Sequence, residues 1–181
     1  MANFSHSNNK KSKVYVLDTS AIIGRFLSSD SANITTNGVI MEIKDFKSRI
    51  FTENALEEGI LELKEPEDWA LNKVQRIMET SGDILRLSKV DIGIMALAVT
   101  LTESYEPELV TDDYSIQNLS KILKITYRSV LTRGIEEVYS WILICQGCKK
   151  QYPHQYKGED CEICGSQLIK RRNLIGKSIY L

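Results

Sequence analysis

Two groups of residues in this 181-residue chain combine types and spacings that do chemistry. One is a set of four thiols, Cys145, Cys148, Cys161 and Cys164, spaced C-x2-C-x12-C-x2-C, with no other cysteine in the chain. Each C-x2-C puts two thiolates on one tight turn, and two such turns complete a tetrahedral Zn²⁺ shell. Four thiolates close that shell, so the zinc expected here is structural, and His154, between the pairs, is a loop residue rather than a ligand. The segment is too short for an independent apolar core, so metal binding is what folds it.

The other group is acidic. Asp18 ends the apolar run Val14–Leu17, and the pair Asp112 and Asp113 follows a second run, Leu109-Val110-Thr111. Asp91 lies in the first turn of the apolar stretch "LSKVDIGIMALAV". Glu42 falls at helical spacing with Val39 and Phe46, and so is expected on the inward face of a helix. Taken singly, these acids have local explanations: Asp18 and one of the Asp112/Asp113 pair cap helices, and Ser88 with Asp91 matches a capping box. Taken together they need a counter-ion, since two carboxylates about 4 Å apart repel by roughly 4 kcal/mol at an effective dielectric near 20. A hard divalent ion such as Mg²⁺ or Mn²⁺ suits oxygen ligands. Ions of this kind activate water for in-line hydrolysis of a phosphodiester without a covalent residue. That chemistry fits a segment before Cys145 whose only histidine is His6. An aspartyl-nucleophile phosphatase would want D-x-D, and position 20 is Ser20.

These side chains need elements to carry them. Val14–Leu17 predicts a strand, and residues 21–27 the start of a helix entered through Thr19 and Ser20, either of which can serve the helix start and leave Asp18 to an ion. "NGVIMEIKDF" predicts one helix and "TENALEE" another, "GILELKE" a second strand, and "EPEDWALNKVQRIMETSG" a helix with Pro66 early and Gly82 past its end. "LSKVDIGIMALAVTLTES" is apolar on nearly every face and predicts a buried helix. "ELVTDDYSIQNLSKIL" repeats the strand-then-helix theme, and "KITYR" is a last strand. Such alternation predicts an α/β fold of right-handed βαβ units with a parallel sheet. Its ligand crevice lies at the carboxyl ends of the strands, where Asp18 and the Asp112/Asp113 pair fall. Residues 1–12, polar and aperiodic, are expected as a flexible leader, and residues 130–140 as a connector before the apolar strand "WILI".

The net charge of −1 hides an asymmetry: residues 145–181 hold seven Lys/Arg against three Asp/Glu, a balance of +4, which leaves −5 on the rest. In that basic part Lys149, Lys150, Lys157, Lys170, Arg171 and Arg172 can neutralise phosphates, and Tyr152 and Tyr156 can stack on bases, which points to RNA. The alternative is a solvated basic face that aids solubility or docks a protein. No apolar stretch approaches the roughly 18–20 residues of a membrane span, so no membrane partner is expected. The start lacks the apolar core of a secretory signal, and a cytoplasmic location is expected.

The stretches "VYVLDTSAII", "MEIKD", "LSKVDIGIMALAV" and "LVTDDYSIQNL" resemble the four acidic motifs of PIN-domain ribonucleases, in order, over about residues 13–130. The resemblance implies a PIN-type, Rossmann-like parallel sheet. It implies Mg²⁺ or Mn²⁺ held by the catalytic acids Asp18, Glu42, Asp91 and the Asp112/Asp113 pair, with Thr111 or Ser20 adding a hydroxyl. The family's T-x-D spacing favours Asp113 over Asp112 as the ion ligand. A PIN domain over 13–130, joined through a connector and lead-in strand at 131–144 to a zinc ribbon with a basic tail at 145–181, is similar to the Nin-one-binding endonucleases in their archaeal form. That likeness implies a metal-dependent endoribonuclease maturing the 3′ end of precursor small-subunit ribosomal RNA. Its partners would be the pre-small ribosomal subunit and ribosome-assembly proteins. Two rivals are a non-catalytic RNA-binding assembly factor whose acids are caps, and a toxin-type PIN ribonuclease acting on another RNA, against which the fused ribbon speaks.

Overall fold

Ser12–Leu17 forms β1, whose last four residues are buried, as a continuously apolar strand covered on both faces must be. The structure, a computed structural model, describes residues 11–81, 87–130, 137–153 and 156–177. Most of the expected leader with His6, Gly82, the connector over 131–136 and His154 lie outside the described residues. β1 is the middle strand of a parallel five-stranded sheet. β2 (Ala32–Thr35) and β3 (Leu61–Leu63) lie on one side of it, and β4 (Tyr105–Val110) and β5 (Thr126–Arg128) on the other. The chain thus runs outward from β1 to β3 and then returns to lay β4 along β1's free edge. Strand order reverses between β1 and β4, and in open α/β sheets the ligand crevice opens at the carboxyl ends of such a switch point.

Among the described residues six helices accompany the sheet: α1 (Thr19–Ile23), α2 (Asn37–Glu42), α3 (Phe46–Glu57), α4 (Asp68–Ser81), α5 (Lys89–Leu101) and α6 (Tyr114–Leu123). α5 is buried from Ile94 to Val99, in keeping with its all-round apolar sequence. In the middle of β4, Glu108 is buried and ion-paired with Lys13 of β1 and with Arg128 of β5, whose Nε lies 2.5 Å away.

Three local expectations are corrected. β2 has a single large apolar residue, Ile34, so periodicity does not reveal it. It is held instead by polar side chains: Asn33 Nδ2 donates to Ser28 O (2.9 Å) and Ile60 O (3.1 Å), and Thr35 Oγ1 donates to Leu17 O (2.7 Å). The stretch "NGVIMEIKDF" is not one helix. Ile43 is extended, and Asp45 starts a new helix by accepting the Ser48 N–H at 2.8 Å. Phe46 is therefore 75% exposed, and Glu42, the last residue of α2, is exposed rather than inward-facing. Finally, Ser12 opens β1 opposite Tyr105, so the strand begins inside the expected leader.

A second, antiparallel sheet supports the cysteines: Cys145 ends its middle strand, and Cys148, Cys161 and Cys164 lie outside its strands. Its middle strand β6 (Glu137–Cys145) pairs with β7 (Gln151–Pro153) and along its whole length with β8 (Leu168–Lys177). β6 begins within the stretch expected as connector. The polar-looking "LIKRRNLIGK" is a full strand, although no strand is expected there from its sequence.

Candidate active site and four-cysteine module

At the switch point, the backbone of Asp18 is tied across to β4, its N–H donating to Val110 O at 3.1 Å. Its side chain does not cap α1. Asp18 Oδ2 instead accepts the hydroxyls of Thr111 (2.8 Å) and Ser20 (3.0 Å). Thr111 Oγ1 accepts the Asp113 N–H (3.1 Å), and Ser20 Oγ accepts the Asp112 N–H (2.9 Å). Both hydroxyls thus bridge β1 to the loop after β4, and neither Thr19 nor Ser20 takes the cap.

Asp91 and Asp113 are each fixed by a helix start. Asp91 Oδ2 accepts the Ser88 N–H (2.7 Å) while Ser88 Oγ accepts the Asp91 N–H (3.1 Å), a complete capping box. Asp113 Oδ1 caps α6 by accepting from Ser115 (2.6 Å) and Ile116 (3.2 Å). In both, capping and ion binding are compatible, because the engaged oxygen orients the carboxylate and its other oxygen accepts no hydrogen bond from the described residues.

Charge joins these three acids. Burial pushes the Asp18 carboxyl above its ordinary range against the pull of its hydrogen bonds, and the Asp113 charge adds to the rise. Burial likewise raises Asp91, with the charges of Asp18 and Asp113 contributing. Glu42 stands at the rim, its Oε2 accepting the Thr19 hydroxyl at 3.0 Å. Asp112 is turned aside: its Oδ1 accepts the Val130 N–H at 3.1 Å. Asp113 is exposed, and its charge reaches Asp18 and Asp91.

The three carboxylates are hard oxygen donors, as a divalent ion requires. Among the described residues only the four cysteines bring three or more candidate ligand atoms within 4.8 Å of one another, so these three carboxylates do not close on a single point.

In the small sheet, the sulfurs of Cys145 and Cys164 are 3.3 Å apart and those of Cys148 and Cys161 3.5 Å. These separations exceed a disulfide bond and approach the roughly 3.8 Å tetrahedron edge implied by a Zn–S bond near 2.3 Å. The Ser166 hydroxyl and backbone lower Cys164 to about 5, and the Tyr152 hydroxyl, 3.1 Å from Cys161 Sγ, leads the groups that lower Cys161. The Lys150 N–H pulls Cys148 down, but neighbouring thiols, Cys161 first, push it up to about 11. Four thiolates so close together call for a cation, and the donor set fits zinc. A Cβ on Gly147 would lie 2.5 Å from Ser166 Oγ and 3.2 Å from Cys164 Sγ, so a larger residue there would displace the Ser166 hydroxyl beside Cys164.

The expected RNA contacts divide. Tyr152 is buried, with its hydroxyl on Cys161, its ring against Tyr156 (4.7 Å between centroids) and the Lys150 ammonium 4.9 Å from its centroid. It supports the metal turns and offers no face to a base. Tyr156 is half-buried against it. Lys149, Lys150, Lys157, Lys170, Arg171 and Arg172 are exposed. Lys170 and Arg172 pair with Leu143 and Trp141, while Arg171 pairs with Ile142, so strand alternation sends Arg171 to the opposite face.

Comparison with known proteins defines the class first: residues 15–101 match the model of the PIN domain of ribonuclease. The chain is 43% identical over 168 residues to the "Endoribonuclease Nob1" of Methanothermobacter thermautotrophicus, covering 93% of this chain and 98% of that one. It is 40% identical over 161 residues to its counterpart in Methanocaldococcus jannaschii, covering 88% and 78%. The "Ribonuclease VapC1" of Thermoplasma acidophilum also matches, 34% identical over 169 residues and covering 91% and 83%. The chain belongs to the Nob1 endoribonuclease family. It is an endoribonuclease whose PIN domain works with divalent metal.

Proposed function

We propose that this endoribonuclease matures the 3′ end of precursor small-subunit ribosomal RNA on the pre-small ribosomal subunit, beside its assembly proteins. The observation that carries the reading is the pairing of two features in one chain: Asp18, Asp91 and Asp113 gathered at the switch point, and a four-thiol module. Asp18, Asp91 and Asp113 hold Mg²⁺ or Mn²⁺ in this reading, with Glu42 as an outer carboxylate at the rim. Such an ion supplies low-pKa water as nucleophile and offsets charge on the phosphate.

The chain's own residues prepare that site. The Thr111 and Ser20 hydroxyls set the Asp18 carboxylate, and the starts of α5 and α6 set Asp91 and Asp113. Zinc in the four thiolates is structural. RNA is gripped by Lys149, Lys150, Lys157, Lys170, Arg171 and Arg172, with Tyr156 at the edge of the surface and Tyr152 beneath it. We take residues 13–130 as the nuclease domain and 145–181 as the ribbon, with β6 leading into it. Reduced thiols suit a cytoplasmic setting; no helix among the described residues is long and apolar enough to cross a membrane.

Incubating the full chain with a 3′-extended small-subunit rRNA fragment tests this, with product ends read at nucleotide resolution. One new 3′ end in Mn²⁺ and none in EDTA is expected. Binding without cleavage in Mn²⁺ would establish an assembly factor instead. The likeness to a VapC-type ribonuclease supports a second reading, and faster cleavage of transfer or messenger RNA would select it.

A further inference from the structure

Three consecutive residues at the end of the α/β body, Arg128, Ser129 and Val130, are each tied to the loop and helix that carry Asp113. Thr111 N–H donates to Arg128 O at 3.0 Å. The buried Gln117 amide donates from Nε2 to both Ser129 Oγ and Thr111 O, each at 2.9 Å. Asp112 Oδ1 accepts the Val130 N–H at 3.1 Å, while the Asp112 N–H donates to Ser20 Oγ, the hydroxyl that orients Asp18. The Val130 side chain is also seated on α1: a Cβ added to Gly24 would come within 2.9 Å of Val130 Cγ1. In sequence, β6 and the cysteines come after Val130.

We infer that Asp112 is a positioning residue that fastens the departure of the chain toward the four-cysteine module to the catalytic end of the sheet. The half-buried Asp112 carboxylate accepts the Val130 N–H through Oδ1, whereas Asp113 next to it is exposed and caps α6. Two RNA-gripping units on one chain reinforce each other only when the linkage lets both engage at once. Fastening residues 128–130 fixes where that linkage starts relative to the scissile phosphate. The inference rests on the reading of Asp18, Asp91 and Asp113 as the ion site.

The test compares Asp112→Ala, Asp112→Asn, Gly24→Ala, Asp113→Asn and the unaltered full chain in Mn²⁺. Two RNAs are used: a long 3′-extended rRNA fragment, and a trinucleotide or tetranucleotide centred on the same bond. Asp112→Ala is expected to raise KM for the long RNA about fivefold with kcat nearly unchanged, and to leave kcat/KM for the short one within about twofold. Asp112→Asn keeps an acceptor oxygen and restores the long-RNA KM. Gly24→Ala presses first on Val130 Cγ1 (2.9 Å) and then on the Ser20 carbonyl (3.2 Å), and is expected to reproduce the rise in long-RNA KM seen in Asp112→Ala. The inference is overturned if Asp112→Asn loses kcat on both RNAs as Asp113→Asn does, for Asp112 would then be an ion ligand. Equal losses on long and short RNA in Asp112→Ala, or none on either, also overturn it. Unaltered kcat in Asp113→Asn would overturn the ion-site reading instead, and the KM pattern of Asp112→Ala would then decide the inference alone.

Discussion

The acidic site and the four-cysteine module solve opposite problems. Asp18, Asp91 and Asp113 come from three elements far apart in sequence, and a buried core brings them together. That core runs through β1, β4 and α5, so the body positions its carboxylates without help from an ion. The cysteines lie close in sequence, over a cluster that among the described residues comprises Cys145, Tyr152 and Cys161 with Leu143, Tyr156 and Leu168 packed against it. There the ion must do the positioning. Removing metal should therefore silence one unit without unfolding it and unfold the other.

Zinc removal is the harshest way to break this contrast. Apparent binding free energies on the order of 10–16 kcal/mol hold small zinc modules together. Cys161→Ser, or a strong chelator, should erase the amide dispersion of β6–β8 in NMR spectra and leave that of β1–β5 in place. Loss of both sets together would show that the units fold as one.

Next in size, Asp18→Asn should lower Mn²⁺-dependent cleavage about 10³-fold, as the loss of several kcal/mol of charge stabilisation implies. Filter-binding Kd for RNA should hold. The variant should also be more stable than the parent at neutral pH without metal. A buried carboxyl with a raised pKa favours the fold while protonated, and that contribution is lost as pH rises through the folded-state value. The gain should vanish below the ordinary carboxylate range. A lower melting temperature at pH 7 would count against the burial of charge argued here.

Glu108→Gln probes the body's own frame and should cost about 1.5–3 kcal/mol, the range for hydrogen bonds to charged groups. Burial pushes the Glu108 carboxyl up, but the bonds from Lys13 and Arg128 outweigh it and hold the group below its ordinary value. The stability this provides is present above the unfolded-state pKa and fades as pH falls through the folded one, so parent and variant melting curves should converge in acid.

The smallest effect lies within the module. Removing Lys170 and Arg172 together should reduce the salt slope of RNA binding by roughly 1.4, and Arg171→Ala by roughly 0.7, at about 0.7 per phosphate contact on a single strand. A near-zero effect of Arg171 alone would show that only one face of β8 meets RNA.

The convergence of acids is legible because Asp18, Asp112 and Asp113 each follow an apolar run and Asp91 opens an all-apolar helix, marks that strand–helix junctions leave in any sequence. Glu42 misleads, because the helical spacing of Val39, Ile43 and Phe46 continues across a break that Asp45 makes by capping. β2 is hidden because its hold on the sheet is polar, through Asn33 and Thr35. The role of Tyr152 is invisible without the position of Cys161, and a run of three cations looks like one patch until strand alternation divides it. The tie between Asp112 and Val130 joins positions 18 apart and leaves no local signal.

The Glu108 ion pairs also act as an alignment pin. If β4 slid by one residue along β1, every side chain would change faces. Glu108 would leave Lys13 and Arg128 for the apolar side now held by Leu109, and a buried carboxylate without partners is strongly penalised. The same slide would carry Thr111 about 3.3 Å along the strand, out of reach of the Asp18 oxygen it now holds. A carboxylate that takes no part in the chemistry thus sets the registration between the two strands whose ends make the catalytic site.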